Sequence, residues 1–415
     1  MLSIRDALQQ MLPAFRTLGS ERVPLTAAAS TAGRVLASEL RAPYDLPELD
    51  NSAMDGYALR YADLSGPGCT LPVQSESRAG GGIPETLKPG HAMRIFTGAP
   101  LPAGADTIVM QEDTAREGER VVVRELPKAR GAFVRARGSD LKTGAVALAA
   151  GTSLGPGEIG LLAGLDVVEV DVFRRPRVAV LATGDELREL GEPARPGSIV
   201  NSNAHLLAAL IRAAGAEPHV LPIARDAPED IAARVREGLQ HDVLLTIGGV
   251  SVGDYDFVER ALRSEGVELA FHRVAIKPGK PILFGTHGAR GVPVVGLPGN
   301  PVSVMVTFEV FVRPGLLRMA GHAAPYPWPI GVELAEAYEH GHARTELARA
   351  RLERRGERMI AHLHARQGSG SLPSMTGADV LVILPRNSGR FAAGARVWAI
   401  RLGDAPRSSE PPFDD

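Results

Sequence analysis

The segment Ile276-Lys277-Pro278-Gly279-Lys280-Pro281 places two ammonium groups on either side of a Pro-Gly turn. The turn fixes the backbone, so both charges can face one site. Paired cations suit a polyanion such as a pyrophosphate or an oxoanion. Two solvated surface lysines are the alternative reading. Carboxylates recur in neighbouring loops at Glu186, Asp226, Asp254 and Asp256. So many acids would repel an anion unless a hard divalent cation bridged carboxylate and phosphate oxygens, and Mg2+ fits such donors best. Asp185 and Asp226 could instead be helix N-caps. The run Gly248-Gly249-Val250-Ser251-Val252-Gly253-Asp254-Tyr255-Asp256 allows backbone N–H groups to converge on phosphate oxygens. A helix N-terminus behind it would add a favourable dipole. The run is neither a dinucleotide fingerprint nor a Walker loop, and a plain strand-to-helix turn fits it equally well.

Further polar turns stand at Thr183-Gly184-Asp185-Glu186 and at Leu297-Pro298-Gly299-Asn300-Pro301. Two more acids sit in turns far away in the chain, Asp55 within Asn51–Ala58 and Asp140 within Arg137–Leu141. The histidines have no zinc spacing and read as satisfied or solvated. Ser251 is not in a nucleophile elbow. Trp328 and Trp398 read as packing residues.

The elements that must position these residues fall into blocks. Ser3 is a plausible N-cap for a first helix whose Ile4, Leu8, Leu12 and Phe15 share a face. From Thr70 to about Ser153, short apolar runs such as 92–96, 107–110 and 120–123 alternate with Gly/Pro turns, which predicts a small all-β unit. Around Phe173 the pattern changes. Buried strands are predicted at 177–182, 219–223, 242–247, 269–276, 281–284 and 293–296, with helices at 203–214, 228–239, 256–264 and 302–318. Alternation of this kind predicts a doubly wound α/β domain at 174–322, whose ligands sit beyond the C-terminal strand ends. The helix from Val302 to Phe311 is apolar nearly all round and reads as core or dimer contact. Short strands resume after Pro327.

Size and composition bound the function. The chain has 415 residues, 44% hydrophobic and 23% charged, which suits a soluble protein of several domains. One cysteine, Cys69, excludes an intrachain disulfide framework and a thiolate cluster. A net charge of -2 argues against a nucleic-acid binder. The first residues do not read as a signal peptide, and no apolar run is long enough to span a bilayer, so a cytoplasmic protein without membrane contact is expected. The polar end, 405–415, is expected to be a frayed tail.

Taken together, Asn-Ser-Ala-Met-Asp-Gly-Tyr at 51–57, Ala-Thr-Gly-Asp-Glu-Leu at 182–187, Gly-Gly-Val-Ser-Val-Gly at 248–253, Lys-Pro-Gly-Lys-Pro at 277–281 and Leu-Pro-Gly-Asn-Pro-Val-Ser at 297–303 resemble the molybdopterin molybdenumtransferase (MoeA) family. The chain is also similar to the E domains of gephyrin and its plant counterpart. The resemblance runs to about residue 404. It implies an elongated linker domain from 1–43 and 141–173, a β domain inserted at 44–140, an α/β domain at 174–322 resembling the molybdopterin adenylyltransferase fold, and a C-terminal β-barrel at 323–404. It also implies a homodimer with each cleft shared between the α/β domain of one copy and the β domain of the other.

The implied reaction inserts molybdate, as co-substrate, into adenylylated molybdopterin and releases AMP, with Mg2+, held by Asp226 and Asp256, on the pyrophosphate. Residue by residue, Asp55, Thr97, Asp140, Glu186, Asp226, Asp256, Lys277, Lys280, Pro298 and Pro301 match cleft positions of the family. Ser303 follows in the same turn. Thr183, Gly248, Gly249 and Ser251 join them as substrate-binding candidates. Arg344, Ser369 and Ser371 resemble its molybdate-contacting segment, although Asp379 stands where relatives often carry asparagine. Transient contact with the adenylyltransferase and with molybdoenzyme maturation proteins is expected. Three rivals are an adenylyltransferase, which would form pyrophosphate from ATP and lacks the flanking β domains, a scaffold without catalysis, and a nucleotide-binding module without metal transfer.

Overall fold

The computed structural model describes residues 1–27, 31–249 and 257–403. The first helix, α1 (Ile4–Met11), starts at a reciprocal cap. The Asp6 N–H donates to Ser3 Oγ at 3.1 Å, and the Ser3 hydroxyl donates to the Asp6 carboxylate at 2.7 Å. Ala7 and Met11 are its buried residues, and Phe15 follows in the same core.

The chain divides into two compact units. One comprises residues 24–29 and 38–170. Its sheet contains β1 (Gly56–Leu59), β2 (Cys69–Ser77), β3 (Ala92–Ile95), β4 (Thr107–Met110), β5 (Thr114–Glu117) and β6 (Arg120–Val123). The spatial order is β4-β1-β3-β2-β6-β5, antiparallel except for the β2–β3 pair. The runs predicted as strands are three of these six. A helix, α2 (Pro156–Gly164), follows later in this unit.

The other unit comprises residues 1–23, 30–37 and 171–415. It contains β7 (Arg177–Ala182), α3 (Ser202–Ala213), β8 (Glu217–Val220), α4 (Pro228–Gly238), β9 (Val243–Ile247), α5 (Phe257–Ser264), β10 (Val267–Phe271), β11 (Ile276–Lys277), β12 (Leu283–His287) and β13 (Val292–Leu297). The sheet order is β8-β7-β9-β13-β12-β10. Four strands are parallel, as expected of a wound α/β sheet. β12 pairs antiparallel on both sides, with β13 and with β10, so it alone runs against the other five strands and makes the sheet mixed. Alternate residues of β7 serve opposite cores: Val178 and Val180 face one, Ala179 and Leu181 the other. Burial on both faces is why these strands read as unbroken apolar runs.

The predicted helix at 302–318 forms as α6 (Pro301–Thr307), a π turn (Phe308–Val312) and α7 (Arg313–Met319). The interruption has a local cause. Pro314 lacks an N–H, and its ring crowds the carbonyl four residues earlier, which a wider turn relieves. Glu309 in the π turn is buried at 7% exposure and pairs with Arg313 at 2.6 Å.

After α7 come β14 (Ile330–Leu334), β15 (Tyr338–His340), β16 (Thr345–Arg355), β17 (Arg358–Leu363), β18 (Val380–Leu384), β19 (Gly389–Phe391) and β20 (Arg396–Arg401). The order β16-β17-β14-β20-β18 closes when β18 pairs again with β16, giving a five-stranded barrel. The short strand β11 adds to β16 in parallel, with Ile276 opposite Thr345 and Lys277 opposite Glu346. No helix among the described residues is long and apolar enough to cross a membrane.

Candidate functional site

Three parallel strands end level. Ala182 of β7 pairs with Ile247 of β9, which pairs with Leu297 of β13. The next residues, Thr183, Gly248 and Pro298, therefore emerge side by side at the C-terminal rim, where open α/β sheets bind ligands. The Thr183 N–H donates to the Ile247 carbonyl, and the Gly248 N–H to the Leu297 carbonyl. Gly249 has φ +62°, and a Cβ there would lie 2.3 Å from Val258 Cγ2. Only glycine lets the chain turn this tightly against α5. The rest of this loop, with the expected residues Ser251, Asp254 and Asp256, lies outside the described residues.

Asp226 reaches the same rim. Thr183 bridges Ala224, so the 224–226 turn runs beside 183–185. There the Asp185 N–H donates to the Asp226 carboxylate at 3.4 Å, and the Asp226 N–H donates to the Asp185 carboxylate at 3.3 Å. Both acids are exposed. This mutual arrangement replaces the N-cap alternative: no helix follows Asp185, and α4 starts at Ala227 without a side-chain cap. Glu186 is also exposed, its carboxylate folded back over Gly184.

The loop into α6 is pinned by a residue the sequence pattern did not single out. Asn203, beside the N-cap Asn201 of α3, donates to the Gly299 carbonyl at 2.6 Å. Asn300 donates to Ser369 Oγ at 2.9 Å, and the Val302 N–H donates to the Ser369 carbonyl at 3.1 Å. Pro298 through Pro301 thus meet the Gly368–Ser371 loop directly. Ser371 turns this loop onward, its carbonyl accepting from the Ser374 hydroxyl at 2.6 Å. Ser303 is 3% exposed inside α6 and does not stand on the rim.

The lysine turn divides its two cations. Lys280 is exposed. Lys277 is not simply solvated: its Nζ lies 3.1 Å from Glu346 Oε1 and 2.7 Å from His342 Nε2. The Tyr338 hydroxyl donates to the same Oε1 at 3.1 Å. Burial, reinforced by the Glu346 charge, pushes the Tyr338 hydroxyl up to about 12, so it stays a donor at neutral pH. Arg344 donates to the Ile276 carbonyl at 3.4 Å and so stands beside the lysine turn. Gly279 has φ +110°, and a Cβ there would lie 2.4 Å from Thr307 Cγ2, which seats the turn on α6. Sequence pattern missed Tyr338, His342 and Glu346, and it took the histidines to be solvated or satisfied apart from any site.

The remaining candidates belong to the first-described unit. Asp55 accepts from the Thr97 N–H at 2.7 Å and from its hydroxyl at 2.8 Å. These two bonds hold its carboxyl below the usual range. The shift favours the folded state at neutral pH, and that contribution is lost as pH falls through the lowered value. Thr97→Val keeps the N–H and removes the hydroxyl, so the Asp55 pKa should rise toward an ordinary carboxylate. Carboxyl carbon NMR titration reads this directly; an unmoved value would refute the assignment. Asp140 is exposed and pairs with Arg135.

Three family models match the chain in succession: the MoeA N-terminal region (domain I and II) over residues 2–165, a probable molybdopterin binding domain over 179–318, and the MoeA C-terminal region (domain IV) over 332–402. A molybdopterin molybdenumtransferase of Nostoc sp. is 37% identical over 379 residues, covering 89% of this chain and 86% of that one. The chain belongs to the MoeA family. Molybdopterin molybdenumtransferase 2 of Mycobacterium tuberculosis is 36% identical over 412 residues, 96% of this chain and 99% of its own. The solved molybdopterin biosynthesis MoeA protein of Pyrococcus horikoshii OT3 superposes with a TM-score of 0.83 at 30% identity, covering 97% of this chain and 100% of that one. The mixed sheet and closed barrel described above are accordingly MoeA architecture, as the sequence motifs implied.

Proposed function

We propose that this MoeA-family chain inserts molybdenum into adenylylated molybdopterin, consuming molybdate and releasing AMP. The observation that supports this best is that the lysine turn seats on α6, whose entry loop Pro298–Pro301 is hydrogen-bonded to the Gly368–Ser371 loop, so the three segments adjoin. Lys277, Lys280 and Arg344 supply positive charge for an oxoanion and for the phosphates. Ser369 and Ser371 offer hydroxyls, and Gly249 offers an N–H group, while Gly248, whose own N–H is held by the Leu297 carbonyl, leaves the backbone open to a phosphate.

The paired acids Asp226 and Asp185 fit Mg2+, which takes oxygen donors and keeps open positions for substrate phosphates. Among the described residues no group of three or more acids, histidines or cysteines is placed to hold a metal, so a ligand set of Asp226 with Asp256 is part of the proposal. When bound, Mg2+ would offset phosphate charge as the pyrophosphate link is cleaved. The protein's own part is to orient the phosphates on the glycine loop, to hold the oxoanion with Lys277 and Lys280, and to keep Glu186 or Asp55 available as a proton acceptor for water. Molybdenum itself is cargo, held by the sulfurs of the pterin. Asp55, Thr97 and Asp140 would enter the cleft from a second copy in a homodimer.

Molybdate-dependent AMP release tests the reaction. An adenylyltransferase would instead form pyrophosphate from ATP, and a binding module or scaffold would release no AMP. Asp226→Asn should raise the Mg2+ concentration giving half-maximal rate by about tenfold, the lower end of the cost of losing one metal-site interaction. An unchanged Mg2+ requirement would remove Asp226 from the metal site.

A further inference from the structure

We infer that Glu346 is a positioning residue for Lys277, fixing the ammonium so that one of its protons faces the polyanion. The inference rests on the reading of Lys277 as an anion-binding cation given above. An ammonium has three donors. Glu346 Oε1 at 3.1 Å and His342 Nε2 at 2.7 Å engage two of them. The third remains for a ligand oxygen, and the side chain is 27% exposed, enough to admit one. A lysine stem is flexible, so two fixed contacts remove much of the ordering that a ligand would otherwise have to impose.

Glu346 is built to hold its place. It is 2% exposed, on a strand whose backbone is paired with the lysine strand in register. Tyr338 donates to Oε1, and the buried His340 stands 3.8 Å from Oε2. Arg349, three residues on in β16 and fully buried, projects from the opposite face of the strand; its guanidinium loses basicity through burial and regains some from the Glu346 charge. Arg349 Nη2 donates to the Arg366 carbonyl at 2.9 Å and to the Gly368 carbonyl at 3.4 Å. Glu346 Oε2 and Arg349 Nε and Nη1 are buried without hydrogen-bond partners. A carboxylate so poorly solvated depends on nearby cations, and Lys277 is the one in direct contact.

A double-mutant cycle on the full-length chain tests this, with AMP release measured across molybdate concentrations. Glu346→Gln should lower kcat by about 10–100-fold, the scale of a misplaced catalytic group. In the Lys277→Ala background the same substitution should change kcat by less than about twofold, since the residue it acts through is gone. Tyr338→Phe keeps every charge and should lower kcat by about threefold in wild type and leave Lys277→Ala unchanged, the size of one neutral hydrogen bond. That variant decides the matter if Glu346→Gln proves insoluble. A purely structural Glu346 would multiply the Lys277→Ala loss by its full factor, and this overturns the inference. Lys277→Ala impaired beside unimpaired Glu346→Gln and Tyr338→Phe also overturns it while leaving the anion site intact. Lys277→Ala at full rate fells the site reading and the inference together.

Discussion

Lys277→Ala is expected to keep the fold, lowering the thermal midpoint because Glu346 loses its contacting cation, and to lower AMP release by about 10²–10³-fold, the range for removing one preorganised electrostatic contact. The side chain is partly exposed and stands at the end of a two-residue strand, so little packing is lost. What is lost is a fixed positive charge where phosphate and oxoanion charge must be gathered. Lys277→Arg should not restore the rate, because a planar fork cannot meet Glu346, His342 and a ligand oxygen in one geometry. A wild-type rate for Lys277→Ala would discard the polyanion site.

Arg349→Met is expected to cost about 2–3 kcal/mol of folding stability in urea denaturation, the worth of charged hydrogen bonds to buried carbonyls. Methionine preserves much of the stem, so the loss comes from charge and hydrogen bonding. The carbonyls of Arg366 and Gly368 would lose a donor, and Glu346 would lose the influence of a nearby positive charge. The second consequence is functional: the Gly368–Ser371 loop would loosen, and the apparent affinity for molybdate should fall along with stability. A loss below about 1 kcal/mol, the worth of an ordinary hydrogen bond, would mean that Arg349 is not part of a coupled network.

The contrast between these two residues explains what the sequence could reveal. Lys277 stands in a Pro-Gly turn whose chemistry is local, and it was legible as soon as the turn was read. The parallel strands were legible for a related reason: Val178–Ala182 and Val243–Ile247 are buried on both faces, and continuous apolar runs report that directly. Arg349 and Glu346 were not legible. The string Thr345-Glu346-Leu347-Ala348-Arg349-Ala350 mixes charged and apolar residues without a strand period, yet residues 346 to 350 are all buried. One face of β16 lines the barrel and the other packs on the α/β core, so polar residues on either face are covered. The pairing of β11 with β16 was equally invisible, because a two-residue parallel strand has no periodicity. Closure of the barrel depends on such long-range partners. The two strands at this edge of the α/β sheet were legible as strands, but the reversal of β12 depends on a hairpin across 288–291 that local composition left open.

The π turn at Phe308–Val312 has a consequence for how this region can vary. A helix advances by about 100° per residue, so one extra residue in a turn re-aims everything after it by roughly that angle. Val302 and Met305 before the joint and Leu316 and Met319 after it share one core across that offset. Deleting a single residue between 308 and 312 would therefore swing Leu316 and Met319 out of register with their neighbours, although the segment would look more regular on paper. Length, rather than composition, is the heritable constraint on this stretch.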